Sequence, residues 1–159
     1  MATGNVSALD QDTYQLIATN SPRSGSETTF SGLTGYKKYL IAFSGLANSS
    51  GGGMGLRFNG SSSTYYGGTM IHGQTTFSST FSYIHLYYNA SGLTGTVEVN
   101  NVNNNGPKIV KGIMNSQSSG SEICYVEGGW LTVDNVTSIT IVANGTYNAG
   151  SVSLYGIAG

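Results

Sequence analysis

Short runs of alternating apolar and polar residues recur along the whole chain, each broken by glycine, asparagine or serine. No other feature of the sequence constrains its fold as strongly. Met54, Leu56 and Phe58 share one face, with Gly55, Arg57 and Asn59 on the other. Val97 and Val99 oppose Thr96, Glu98 and Asn100. Ile139 and Ile141 oppose Ser138 and Thr140, and Val152 and Leu154 oppose Ser153 and Tyr155. A period of two with β-branched and aromatic residues is the pattern of half-buried antiparallel strands. Ten segments are expected to be strands: Tyr14 to Thr19, Glu27 to Leu33, Lys38 to Gly45, Met54 to Asn59, Phe81 to Tyr88, Gly95 to Val102, Lys108 to Met114, Glu122 to Val133, Ser138 to Ala143 and Ser151 to Ile157. The expected fold class is all-β: an antiparallel β-sandwich, jelly-roll-like, of about 8–10 strands.

The turns agree with this reading. Asn59-Gly60-Ser61 lies between strand patterns, and Asn144-Gly145, after Ile141-Val142-Ala143, is a candidate for a type I′ turn. Gly51-Gly52-Gly53 reads as a flexible loop. Ser61 to Thr80 and Asn115 to Ser121 read as longer loops, where a sandwich would place binding residues. Composition excludes other classes. Only 8% of residues are charged, against about 25% in a typical domain. Gly, Ser, Thr and Asn make up 77 of 159 residues, so a helical bundle is not expected. A formal net charge of −1 gives no basic footprint for nucleic acid. No window approaches 18 apolar residues, so no membrane span is expected. Met1 to Asn5 carries no basic region or apolar run, so no signal peptide is expected and synthesis is placed in a cytoplasm. The chain reads as a single globular domain: residues 1–31 form an N-terminal arm with the first strands, an anchoring candidate, and 32–159 the sandwich.

Catalytic equipment is scarce. Glu98, Glu122, Glu127 and Asp134 are dispersed, with no pairing legible in the sequence. His72 falls in a Gly-rich loop and His85 in a strand, with no ligand at metal-binding spacing. Gly51 to Gly55 lacks the Lys-Ser/Thr of a phosphate loop and leads into a strand. Cys124 sits inside a strand pattern and reads as a buried reduced thiol. No catalytic residue, metal or cofactor is therefore expected. The aromatics are the remaining constellation. Adjacent tyrosines in an extended strand point to opposite faces. One of Tyr65 and Tyr66, and one of Tyr87 and Tyr88, is expected to face outward. These four, with Trp130, are the candidate glycan-binding or subunit-interface aromatics, and His72 and Gln74 mark the candidate loop.

Several short segments together resemble a family of bacteriophage virion proteins common in tail fibres and particle appendages. They are Leu56-Arg57-Phe58-Asn59-Gly60 followed by Tyr65-Tyr66, then Gly129-Trp130, then Val136-Thr137-Ser138-Ile139-Thr140-Ile141, and finally Leu154-Tyr155-Gly156-Ile157. The resemblance covers roughly Tyr36 to Ile157. It implies a jelly-roll-like sandwich in a virion, without catalytic residues. The expected role is a capsid decoration (cement) protein. The alternative is a tail-fibre or receptor-binding module recognising a host surface glycan. The implied partners are other virion proteins (major capsid or tail protein) and further copies of the chain, with a trimer favoured.

Overall fold

The computed structural model describes residues 13–71, 74–87, 91–116 and 122–159. Twelve strands make up the described chain: β1 (Gln15–Asn20), β2 (Glu27–Ser31), β3 (Tyr36–Asn48), β4 (Met54–Phe58), β5 (Tyr65–Ile71), β6 (Gln74–Phe81), β7 (Ile84–Tyr87), β8 (Leu93–Asn100), β9 (Lys108–Ser116), β10 (Glu122–Trp130), β11 (Ser138–Ala143) and β12 (Tyr147–Ala158). They form two antiparallel sheets, ordered β1-β12-β3-β8-β9-β10-β5-β6 and β2-β11-β4-β7. The molecule is a β-sandwich.

The pairing is nested. β1 pairs with β12, β2 with β11, β3 with β8 and β4 with β7. A long double ribbon with these pairs, wound around itself, is a jelly roll. Its two four-stranded halves are β1-β12-β3-β8 and β2-β11-β4-β7. The hairpin β5-β6 is inserted between β4 and β7, and β9-β10 between β8 and β11. Both insertions join the same edge, so one sheet grows from four strands to eight. Residues 1–12 of the expected arm lie outside the described residues. Its later part supplies β1 and β2, each the edge strand of one sheet.

Alternation explains which face each strand buries. Met54, Leu56, Phe58, Val97, Val99, Val152 and Leu154 all point into the layer between the sheets. β3 changes parity midway. Tyr39, Ile41 and Phe43 face the core, but so do Leu46 and Asn48. The extra residue is accommodated at Gly45 (φ 60°), where the register with β8 and β12 shifts. This is a bulge, and it keeps both halves of a 13-residue strand apolar-side-in. Gly150 lies opposite; a Cβ there would sit 2.2 Å from the Gly45 carbonyl oxygen, so no side chain fits.

Two sequence expectations need correction. Most of Ser61 to Thr80 is strand: β5, in register against β10 from Tyr65↔Trp130 to Ile71↔Cys124, and most of β6, which pairs with β5. Backbone pairing holds this segment, and Gly67-Gly68 with its run of Ser and Thr gives no alternating pattern to reveal it. Asn115 and Ser116, expected in a loop, complete β9, while 117–121 lie outside the described residues. The Gly51 to Gly53 loop is also less free than its composition implies. Buried Asn48 donates to the Gly52 carbonyl (2.9 Å) and accepts from the Ser50 and Gly52 amides (3.1 and 3.2 Å).

Candidate functional site

Among the described residues, the inserted hairpins present a sheet face with no second layer over it. In β9, Val110, Gly112 and Met114 point inward, so Ile109, Lys111 and Ile113 point outward. In β10, Cys124 and Val126 are buried, so Ile123, Tyr125 and Glu127 point outward. In β5 the buried residue is Tyr65 and the outward one is Tyr66. Five large apolar side chains, Tyr66, Ile109, Ile113, Ile123 and Tyr125, are thereby left 39–55% exposed on neighbouring strands. Single exposed apolar residues are ordinary, but a contiguous group marks a contact surface.

Register lays charge across the middle of this face. Glu127 pairs with Lys111, and Lys111 with Glu98 on β8. Lys111 Nζ is 3.8 Å from Glu98 Oε2, and Lys38 Nζ from β3 is 3.0 Å from the same oxygen. Partial burial works to raise the Glu98 pKa, but the hydrogen bond and charge of Lys38, with help from Lys111 and the Tyr14 hydroxyl, outweigh it and hold the carboxyl below its ordinary value. Level with this row on one side stand Ile113 and Tyr125, which pair with each other. On the other side Ile109 pairs with Gly129, and the Tyr66 ring lies against Gly129. Two open depressions flank the charged row. One, of about 440 Å³, lies by Thr96, Ile113 and Tyr125; the other, of about 430 Å³, by Tyr66, Gly67 and Ile109.

The expected site aromatics are divided by this geometry. Tyr66 faces out, as the pair rule required of one member. Tyr65, Tyr87 and Trp130 are buried in the core and are corrected to packing residues. Phe58, Tyr65 and Trp130 form one ring cluster between the sheets, with centroids 5.6–6.3 Å apart. Tyr88 and His72 lie outside the described residues. Gln74 opens β6, paired with Ile71. Tyr66 is the expected residue that the exposed face contains. Ile109, Lys111, Ile113, Tyr125 and Glu127 were not anticipated as a site. A signal for them existed: Ile109-Val110, Ile113-Met114, Ile123-Cys124 and Tyr125-Val126 put apolar side chains on both faces of β9 and β10.

Other candidate groups have structural roles. Cys124 is buried, its thiol 3.6 Å from the Leu86 carbonyl. His85 packs against Tyr83 at 4.6 Å, and burial lowers its pKa, which favours the neutral ring. Lys108 is wholly buried at the start of β9 and donates to the Asn104 and Gly106 carbonyls, both at 2.8 Å. Burial pushes its ammonium below the ordinary value, partly opposed by the charge of Asp134. Among the described residues no group of three His, Cys, Asp or Glu side chains could hold a metal ion. No described helix is long and apolar enough to cross a membrane. No protein-family model, curated protein or solved structure matches the chain.

Proposed function

We propose that the chain is a non-enzymatic bacteriophage virion structural protein exposed on the particle surface, acting as a capsid decoration (cement) protein. The observation that supports it is the uncovered apolar face on β5, β9 and β10. An isolated domain gains nothing from such a face, whereas a component of an assembly buries it. The resemblance carried by Leu56 to Gly60, Gly129-Trp130 and the last strand supports the virion context. Its partners are then the major capsid or tail protein and further copies of itself. The lowered pKa of Glu98 disfavours it as a general acid, since that role needs a carboxyl held protonated.

Adhesion of this kind acts through area multiplied by copy number. A chain with 8% charged residues attaches mainly through apolar and hydrogen-bonding contacts. Attachment is therefore expected to survive ~0.5 M salt, where the Debye length is about 4 Å. Release on raising salt alone would refute this. Quantitative mass spectrometry of purified virions tests the role: a decoration protein is present in copy numbers comparable with the capsid protein, and a few copies per particle would exclude it. Tyr66, exposed beside a depression that Lys111 and Glu127 also line, favours the second reading, a receptor-binding module for a host surface glycan. Under that reading Tyr66→Ala weakens retention on a glycan array while particle stability is unchanged.

A further inference from the structure

We infer that the uncovered face of β9 and β10 is covered by the same face of a second copy of this chain, related by a two-fold axis parallel to the strands. The inference deepens the assembly reading by naming the occupant of the face. Its test is made on the isolated protein, so its failure is read separately from the copy number on virions.

The strand register makes this face self-complementary. A two-fold axis running along the seam between β9 and β10, above the sheet, exchanges the two strands and keeps each level along them. Every β9 residue of one copy then faces the β10 residue with which it pairs in its own copy. Lys111 and Glu127 are such a pair, so Lys111 of each copy faces Glu127 of the other. Ile113 and Tyr125 are another, so an isoleucine faces a tyrosine twice. Ile109 pairs with Gly129, so Ile109 of one copy descends where the other has no side chain, onto the ring of Tyr66 that lies against that glycine. The depression of about 430 Å³ lined by Tyr66, Gly67 and Gly128 lies next to this point and leaves room for the approach. Ile123 faces Asn115, the unmatched level, at the end of the face. Charge and shape are thus self-complementary, as an isologous contact requires.

The charge on the face also calls for this partner. Among the described residues Glu127 makes no ion pair in its own chain, although apolar groups flank it on the exposed face. Lys111 reaches Glu98 only at 3.8 Å with its side chain 64% exposed, so its ammonium can be shared. The area is adequate. Four strands spaced by ~4.8 Å, at ~3.4 Å for each of the nine residues of β9, give a flat footprint on the order of 600 Å². Accessible area exceeds flat area, which brings the face close to the ~800 Å² per partner of a standard interface. Two sheets packed this way keep their strands nearly aligned, at ~10 Å separation. A trimer would instead need two different patches on each copy and would leave the Lys111–Glu127 match unused.

Sedimentation equilibrium of the full chain tests this. The expected mass is twice the 16.5 kDa of the chain, with a dissociation constant of ~10 μM or tighter. Ile113→Glu is expected to weaken pairing on the order of 100-fold, because it sets a carboxylate against Tyr125. Ile113 is half exposed in the single chain, so the variant is expected to fold; an unchanged circular dichroism spectrum verifies that. The charge swap gives the sharper signature. Lys111→Glu alone and Glu127→Lys alone each set like charges opposite one another at two points and weaken pairing at least tenfold. The double swap restores opposite charges at both points and restores pairing. A monomer at ~100 μM, a mass of three chains, or single swaps that leave the mass unchanged would overturn the inference.

Discussion

Trp130→Ala is expected to destabilise the protein by about 3–5 kcal/mol, a large part of the stability of a domain this size. Trp130 ends β10 and is 3% exposed. Its ring stacks on Tyr65 at 6.2 Å and tilts against Phe58 at 5.6 Å. Phe58 belongs to the four-stranded sheet, while Tyr65 and Trp130 belong to the inserted strands. The indole is thus part of what fastens the insertion to the jelly roll. Tyr65 completes the fastening: its hydroxyl accepts from the Phe58 amide at 2.7 Å and lies 3.2 Å from the Ser61 carbonyl. Removing the indole leaves a void between the layers that rigid sheets close only in part. Trp130→Phe is expected to be mild, below about 1.5 kcal/mol, because it keeps a ring and removes an indole N–H buried without an acceptor. Tyr66→Ala, one residue from Tyr65, is expected to change stability by less than about 0.5 kcal/mol. Denaturant unfolding followed by far-ultraviolet circular dichroism distinguishes the three. Trp130→Ala with wild-type stability would show that the buried ring cluster does not fasten the insertion.

Alkaline unfolding is the second large effect. Tyr39, Tyr65 and Tyr147 are fully buried, and burial raises the pKa of each phenol above 10. Tyr147 also donates to the Ile141 carbonyl at 2.9 Å, a bond only the neutral phenol can make. A raised folded-state pKa gives stability that is complete below the unfolded value of about 10 and is lost as pH rises further. Tyr39 and Tyr147, the two most strongly raised, each cost about 1.4 kcal/mol per pH unit in that window, so together about 3 kcal/mol per unit, and Tyr65 adds in the same direction. Lys108 acts in the opposite sense: its pKa is lowered, so stability rises with pH between its folded value and 10.5, but it is one group against three. Cooperative unfolding is therefore expected between about pH 11 and 12, where the loss reaches the 5–15 kcal/mol of a typical domain. The check is to follow phenolate absorbance and circular dichroism together. A late group of tyrosines should ionise only as the fold is lost. Ionisation of all 11 tyrosines near pH 10 with the β-sheet spectrum intact would contradict the assignment.

The sandwich was legible in the sequence because its layers write a period of two into β4, β8 and β12. There the buried residues are the alternate ones, from Met54, Leu56 and Phe58 to Val152 and Leu154. The nested pairing was not legible. β1 and β12 lie at opposite ends of the described chain, and no local pattern joins Leu16 to Tyr155. The β5-β6 hairpin was hidden because Gly, Ser and Thr give no alternation, and its evidence is the ladder to β10. At the site, the rule for adjacent tyrosines limited the outward residue to Tyr65 or Tyr66, and the structure selects Tyr66. Trp130 was misplaced because its direction depends on the parity of β10, which Cys124 and Val126 set by facing the core. Ile109, Ile113 and Tyr125 escaped notice for a related reason. A strand apolar on both faces reads as doubly buried, and only the sheet arrangement reveals that one side has no cover among the described residues.

The most direct measurement is an electron microscopy reconstruction of the virion particle. The account predicts a jelly-roll density with an eight-stranded sheet on the outside of the particle, repeated in many copies, with the β9–β10 face buried against protein. Purified particles without the chain, or with that face turned to solvent in every copy, would contradict it.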